Sequence, residues 1–359
     1  MLAAAVVGAP VVILLMLLAF LTPAINSGAE DLPLTVSAPP EQQEQLISGL
    51  EAAGPGVFDV TIVDDADAVV RAVQDRDAIG GIAVGADGVE VVTASGAGTP
   101  YTPLLRSLAT GLQAQVQQQA GAAAAAAAQA RGADQAQVQA AQAQARAAAD
   151  SVTVTDIAPL PAGDANGVGL AALALPLVFG GMATAALVSI VLRTAPWKRA
   201  VAALVIAALG SLAATVALHS WFDAVAGGFW LIWAGLTAGI AAISLTLIGL
   251  HAVAGYAGLA LGAVTMMFVS NPLAGLATGP QWLPRGWGAF GQELPVGATG
   301  TWLRSAAYFD GRGMGGAPWV LLAWAVAGLV LLGIGAWRGR TGAAAPTAGP
   351  EAVAEGAGA

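Results

Sequence analysis

The chain has no cysteine, a single lysine and two histidines among 359 residues, and only 10% of its side chains are charged. The first absence excludes disulfides, a thiol nucleophile and thiolate-ligated zinc. The lone lysine, Lys198, stands in Ala195-Pro196-Trp197-Lys198-Arg199, so no GxxxxGK[ST] phosphate loop exists. His219 and His251 are too few for a histidine-rich metal site, and neither an HExxH helix nor a GxSxG elbow occurs. No catalytic residue, cofactor site or metal site can be assembled from this inventory, so an enzyme is not expected. The shortage of charge excludes an ordinary soluble domain, for which about 25% charged residues is usual. Nothing basic enough for nucleic acid is present, and no nucleic-acid partner is expected.

What the chain has instead is long apolar runs. Residues 168–192, 200–218, 227–249 and 253–271 are 19 to 25 residues long and carry no charge. A bilayer core needs about 20 such residues per helix. Two more runs, 2–22 and 317–337, bring the expected count to six transmembrane helices. The first is read as an uncleaved helix, because a signal peptide has a shorter apolar core behind a basic start. The expected fold is an α-helical membrane protein of six transmembrane helices with an extracytoplasmic α/β domain inserted between helices 1 and 2. The order is a first helix (1–25), a polar domain (26–166), four helices (167–271), an aromatic-rich loop (272–316), a sixth helix (317–340) and a disordered cytoplasmic tail (341–359).

Orientation follows from basic residues near helix ends. With both termini cytoplasmic, Arg193, Lys198, Arg199, Arg338 and Arg340 lie inside and Arg285, Arg304 and Arg312 outside. The polar block then faces outward; it holds 17 acidic and 5 basic residues of a chain whose net charge is −9. Richness in alanine and glycine points to GC-rich codons, hence a bacterial plasma membrane.

Within 26–166 the pattern alternates. Leu34 to Ser37 is a short apolar run, 41–53 has helical spacing, 58–63 alternates, and 65–74 places Ala68, Val69, Ala72 and Val73 on one helical face. Two strands, 81–84 and 89–94, flank Gly85-Ala86-Asp87-Gly88, which is hairpin chemistry. The order β-α-β-α-β-β predicts a small α/β domain. From about 102 to 149 the chain is Ala/Gln-rich and strongly helix-forming. One rod of that length would reach about 70 Å; two helices broken at Gly132, with Asp134 capping the second, are preferred. A hairpin returns the chain so that 152–157 can add a strand. Its alanine face suits tight packing against a partner, and a solvated stalk fits equally well.

The loop 272–316 contains Trp282, Trp287, Phe290, Trp302, Tyr308 and Phe309 among prolines and glycines, with a short helix expected over 301–309. Aromatics with arginines belong at a headgroup interface. Trp282, Trp287, Trp302, Arg304, Tyr308 and Phe309 are therefore expected to form an interfacial or partly re-entrant cap, and a substrate contact is compatible with that placement. Gly235/Gly239 and Gly258/Gly262 allow close helix approach. His219, Ser220 and Asp223 read as a polar helix end rather than a catalytic trio, and His251 as a loop residue. No acidic or basic residue lies within the apolar runs, which argues against an ion-coupled carrier.

The layout resembles the ABC type-2 permeases, particularly their phage-infection-protein-like branch. The local wording agrees at Ala78-Ile79-Gly80-Gly81-Ile82-Ala83-Val84, at Asp156-Ile157-Ala158-Pro159-Leu160-Pro161, and at Leu294-Pro295-Val296-Gly297-Ala298 followed by Leu303-Arg304 and Tyr308-Phe309. The resemblance implies a permease subunit that forms a homodimer or heterodimer and exports hydrophobic or amphipathic compounds with ATP hydrolysed by a separate ATP-binding subunit. Such permeases usually meet that subunit through an amphipathic helix before the first span and a loop between the second and third. The loop is reduced here to seven residues, and its Arg193, Lys198 and Arg199 are the expected partner contact. The alternative is a membrane scaffold or receptor that binds a partner or the cell envelope through its extracytoplasmic domain.

Overall fold

α1 (Leu2–Asn26) is an apolar helix that leads into a five-stranded sheet. The computed structural model describes residues 2–85, 88–149, 152–192 and 195–343. The sheet comprises β1 (Leu32–Ser37), β2 (Phe58–Ile62), β3 (Gly80–Gly85), β4 (Gly88–Thr93) and β5 (Val152–Asp156), in the order β2-β1-β3-β4-β5. β1 pairs in parallel with β2 and β3, β4 is antiparallel to β3, and β5 is parallel to β4. β1 is inner and buried at five of its six positions, whereas edge strand β2 has no buried residue. That contrast is the usual one between a strand covered on both faces and one facing water.

Two helices join the first three strands. α2 (Pro40–Ala53) begins on a proline, whose missing N–H costs nothing in a first turn. α3 (Ala66–Gln74) is opened by Asp65, whose carboxylate accepts the Ala68 N–H at 2.6 Å. Ala86 and Asp87 of the expected hairpin lie outside the described residues.

The Ala/Gln stretch folds into an arm of two helices, α4 (Tyr101–Ala130) and α5 (Gln135–Ala148). Gly132 turns the chain at φ 74°, a conformation glycine adopts without penalty. Asp134 then accepts the Gln137 N–H at 2.8 Å while the Gln137 side chain accepts the Asp134 N–H at 3.1 Å, a reciprocal cap. The two helices touch closely where a Cβ on Gly121 would meet Arg146 Nε at 2.6 Å. The chain then returns to the sheet at β5.

Five segments are long and apolar enough to cross a membrane: Gly8–Asn26, Val168–Val191, Pro196–Trp221, Phe229–Ser270 and Ala317–Arg338. The chain is a helical, multi-pass membrane protein. The segments are built from α1, α6 (Val168–Ala172) with α7 (Ala174–Val191), α8 (Pro196–Thr215), α9 (Phe229–Thr265) and, after α10 (Trp287–Gln292) and α11 (Pro295–Tyr308), α12 (Ala317–Ala343). The two runs expected at 227–249 and 253–271 thus fall in one helical stretch of 42 residues. It is not straight. Gly255 stands at φ 62°, ψ −148°, a backbone conformation essentially confined to glycine. Beyond it the helix doubles back: a Cβ on Gly262 would meet the side chains of Leu247 at 2.5 Å and Leu250 at 2.7 Å. Those positions would be more than 15 Å apart along a continuous helix.

α9 is the centre of the bundle. Leu177 and Ala185 of α7, Ala203 of α8, Ile243 and Leu247 of α9, Met266 beyond the reversal and Leu332 of α12 form one buried cluster. Apolar burial does not drive helices together inside lipid, so close approach of small residues has to do so. Gly249, Gly328 and Gly335 supply it along the α9/α12 seam, where an added Cβ would overlap the facing backbone.

Candidate functional site

The sheet rests on a platform made by α11 and the segment leading into it. From Asn271 the chain rises to the sheet, descends through α10 and rises again through α11. At its upper turn Gly28 N donates to Trp282 O at 3.0 Å, Trp282 meets the Tyr101 ring edge-on at 6.0 Å, and Tyr101 Oη donates to Gln281 Oε1 at 3.2 Å. Arg285 pairs with Glu30 at 3.4 Å and with Asp31.

The lower corner, between α10 and α11, enters the bundle. Val296 N donates to Ser270 Oγ at 3.1 Å, and Trp324 Nε1 donates to Glu293 O at 2.8 Å. Trp324 is seven residues into α12, so the corner lies about 10 Å below that helix's first residue. α11 then climbs beside α9, with Trp302 over Gly235, Thr299 over Gly239, and Trp302 Nε1 donating to Leu231 O at 3.0 Å. The helix expected over 301–309 therefore starts earlier, at Pro295. Proline pre-sets the first turn. Close packing of Gly297 on Gly291 and of Gly300 on Leu276 offsets the low helix propensity of glycine.

The six residues expected to form an interfacial cap are dispersed by this arrangement. Trp287 is 38% exposed, Trp282 and Trp302 are half-buried, and Tyr308 lies beneath Gly96. Phe309 is buried in the sheet core and Arg304 is 1% exposed. Arg304 does not reach towards lipid headgroups. Its Nη2 donates inward to Gly275 O at 3.0 Å and to Leu276 O at 2.8 Å, turning the segment before α10 over the end of α11.

A second arginine reaches the same helix from the α/β domain. Arg76 adopts φ 63° directly after α3, and its Nη1 donates to Thr301 O at 3.1 Å, Ser305 Oγ at 2.7 Å and Gly313 O at 3.2 Å. Its guanidinium lies 5.7 Å from the centre of the Phe309 ring. Burial first, and the neighbouring Arg304 second, push its pKa down to about 9, so it is charged at neutral pH. Beside it, Arg312 donates to Asp75 Oδ1 at 2.8 Å, a hydrogen bond that holds the Asp75 carboxyl below its ordinary range. Burial raises the Tyr101 hydroxyl to about 12, so it acts as a neutral donor.

Where these elements meet, a cavity of about 250 Å³ opens between the domain and the bundle. Arg76, Gln281, Gln292, Glu293 and Thr301 supply its polar lining, and Ala298, Ala317 and Val320 its apolar wall. It places a cation, a carboxylate and amide groups beside an apolar surface at the level where α12 begins. Such a surface suits the polar end of an amphipathic molecule.

At the opposite end of the bundle the basic residues separate. Arg193 lies outside the described residues. Lys198 is exposed in the first turn of α8, and Arg199 is buried with Nε donating to Leu192 O at 2.7 Å. At the domain end of the bundle, His219 shares a hydrogen bond of 3.0 Å with Gly227 O, closing the turn between α8 and α9. His251 lies within α9 rather than in a loop, against Tyr256 across the Gly255 reversal. Among the described residues no group of His, Asp and Glu could hold a metal ion.

Sequence reasoning named Arg304 and Tyr308 but missed Arg76, Tyr101 and Glu293. Arg76 sits in Gln74-Asp75-Arg76-Asp77, which reads as a solvated turn, and no local signal marks it. No family model, curated protein or solved structure matches the chain.

Proposed function

We propose that the chain is a permease subunit of an ABC type-2 exporter, working with a separate ATP-binding subunit to move a hydrophobic or amphipathic compound outward. In this reading the chain crosses a plasma membrane six times, with the reversal at Gly255 on the cytoplasmic side and the α/β domain outside. The observation that carries it is the α10–α11 corner, hydrogen-bonded to Ser270 and Trp324 inside the bundle beside a cavity of mixed polarity. A corner at that depth serves a solute pathway better than a surface plug. Lys198 is then the exposed base offered to the ATP-binding subunit.

The test is to isolate the full-length protein from its native membrane in mild detergent and identify its companions by mass spectrometry. A stoichiometric ATP-binding subunit, lost on Lys198→Glu, is expected. The burial of Arg199 thins the basic face at that end and favours the second reading, a scaffold or receptor acting through its α/β domain. Recovery of envelope proteins without any ATP-binding subunit would decide for it. The absence of cysteine gives a clean background for topology: a single cysteine at Ala254 is expected to react with reagents applied from the cytoplasmic side only.

A further inference from the structure

Two hollows lie end to end over the first face of the sheet, between α2 and α4, and share Leu46, Leu112 and Gln115. They hold about 300 and 260 Å³. The stripe of α4 that lines them runs from Leu104 to Gln119, about 22 Å at 1.5 Å per residue. One end reaches the junction with the bundle, where Leu104 and Phe58 pack with Leu32, Tyr101 and Trp282. Leu32 N donates to Val57 O at 2.8 Å, and Leu32 follows the last residue of the first apolar segment, Asn26, by six positions. That end therefore stands within roughly 20 Å of the segment's end. The other end lies at Val84 and Val89, beside the turn between β3 and β4.

Among the described residues, none that lines either hollow is charged, although α2 carries Glu41, Glu44 and Glu51 and α4 carries Arg106. Leucines and valines form the walls, and the polar positions are neutral glutamines and Ser107. A charged group drawn in would lose its water without gaining a partner. Gly49 and Gly111 widen the groove from its two sides, each in a helix interior, where glycine is the poorest helix former after proline. Neither is there for close packing or for a left-handed backbone. Among the described residues no heavy atom lies within 4 Å of a Cβ built on either, and neither has a positive φ. What these glycines provide is room.

We propose that this groove takes one unbranched acyl chain of a membrane lipid, drawn up from the leaflet on the domain's side, with its headgroup left at the mouth beside Phe58 and Leu104. Size decides against a peptide helix. A rod 10–12 Å across and about 22 Å long fills on the order of 2,000 Å³, several times what the two hollows hold. Apolar walls with a few neutral polar groups suit a hydrocarbon chain, whose every buried methylene adds to binding. The inference holds whether the protein exports a compound or acts as a receptor.

The test is photolabelling of the full-length protein in phosphatidylglycerol vesicles that contain a trace of the same lipid with a mid-chain diazirine, read by mass spectrometry of the labelled residues. Label is expected at 42–57 and 104–119 as well as in the membrane spans. Gly111→Leu puts a side chain into the groove and improves helix propensity. It is expected to lower label at those residues about tenfold, leave label in the spans unchanged, and keep or raise Tm. Gly49→Leu is expected to do the same from the facing helix, so either variant carries the test should the other fail to fold. Unchanged groove label in these variants would overturn the proposal. So would label confined to the spans, or label from diazirine palmitate but not from the phospholipid. Groove label that falls as the protein-to-lipid ratio rises would also overturn it, by giving the groove to a second copy of the protein.

Discussion

One face of the sheet is closed entirely by helices that follow its strands closely in the chain; the other is covered by one such helix, α3, and completed by a residue from beyond the first four membrane segments. On the first face Leu34, Val36, Ile82 and Val91 pack against Leu50 of α2 and Leu105 and Ala109 of α4. On the second, Ala83, Val92 and Ala94 pack against Val69 and Val73 of α3, and the cluster is completed by Ala158 and Phe309. Alternation along β3 and β4 sends neighbouring residues to opposite faces, so one pair of strands serves both cores. The first face is the domain's own. The second is shared with the membrane part, and the domain is therefore built into the bundle rather than tethered above it.

Phe309→Ala should break this contrast most severely. Truncating a buried phenylalanine costs about 3–5 kcal/mol. The loss is expected to appear as early proteolysis between domain and bundle, while hydrogen exchange stays slow in α2 and the start of α4. Leu105→Ala is the mirror experiment at about 2–5 kcal/mol, freeing the α2/α4 face and leaving the junction protected. Equal loosening of both faces in either variant would show that they form one cooperative unit.

Gly96→Ala tests the shared face from above. An added Cβ would overlap the Tyr308 ring, and overpacking of this kind costs about 1–3 kcal/mol. The expected result is a lower Tm with the α2/α4 face again unaffected. The smallest effect is electrostatic. The Arg312 hydrogen bond holds the Asp75 carboxyl below its ordinary value. Its contribution is thus present above the ordinary aspartate range, near about 3.9, and is lost as pH falls through the lower folded value. Because the pair is partly exposed, only a slight rise in proteolysis around Arg312 is expected on acidification, and Asp75→Asn should remove that pH step.

Much of the α/β domain was legible because its signals are local. The helical face of 65–74, the break at Gly132 and the Asp134 cap each depend on residues within a few positions of one another. The apolar runs were equally plain, since bilayer thickness imposes their length. A turn between the runs 227–249 and 253–271 was legible too, but not its place inside the second run, because Gly255 is one glycine among 47 and only its backbone angles set it apart. Arg304 was named for the wrong reason: an arginine among aromatics reads as interfacial until tertiary contacts bury it. Arg76 and Glu293 acquire their setting from partners more than 200 and 30 residues away respectively, which no window of sequence contains.

The shared core also has a schedule. Phe309 follows Val73 by 236 residues, and ribosomes add about 5–20 residues per second. Roughly 12–47 s therefore separate the synthesis of the two sides of that cluster. The first face can close as soon as α4 emerges, whereas the second waits, with Ala94 and Ala158 uncovered, until α11 has been made. A nascent chain stalled before Phe309 would carry a half-finished sheet, and that interval is when a chaperone or quality-control protease has its opportunity.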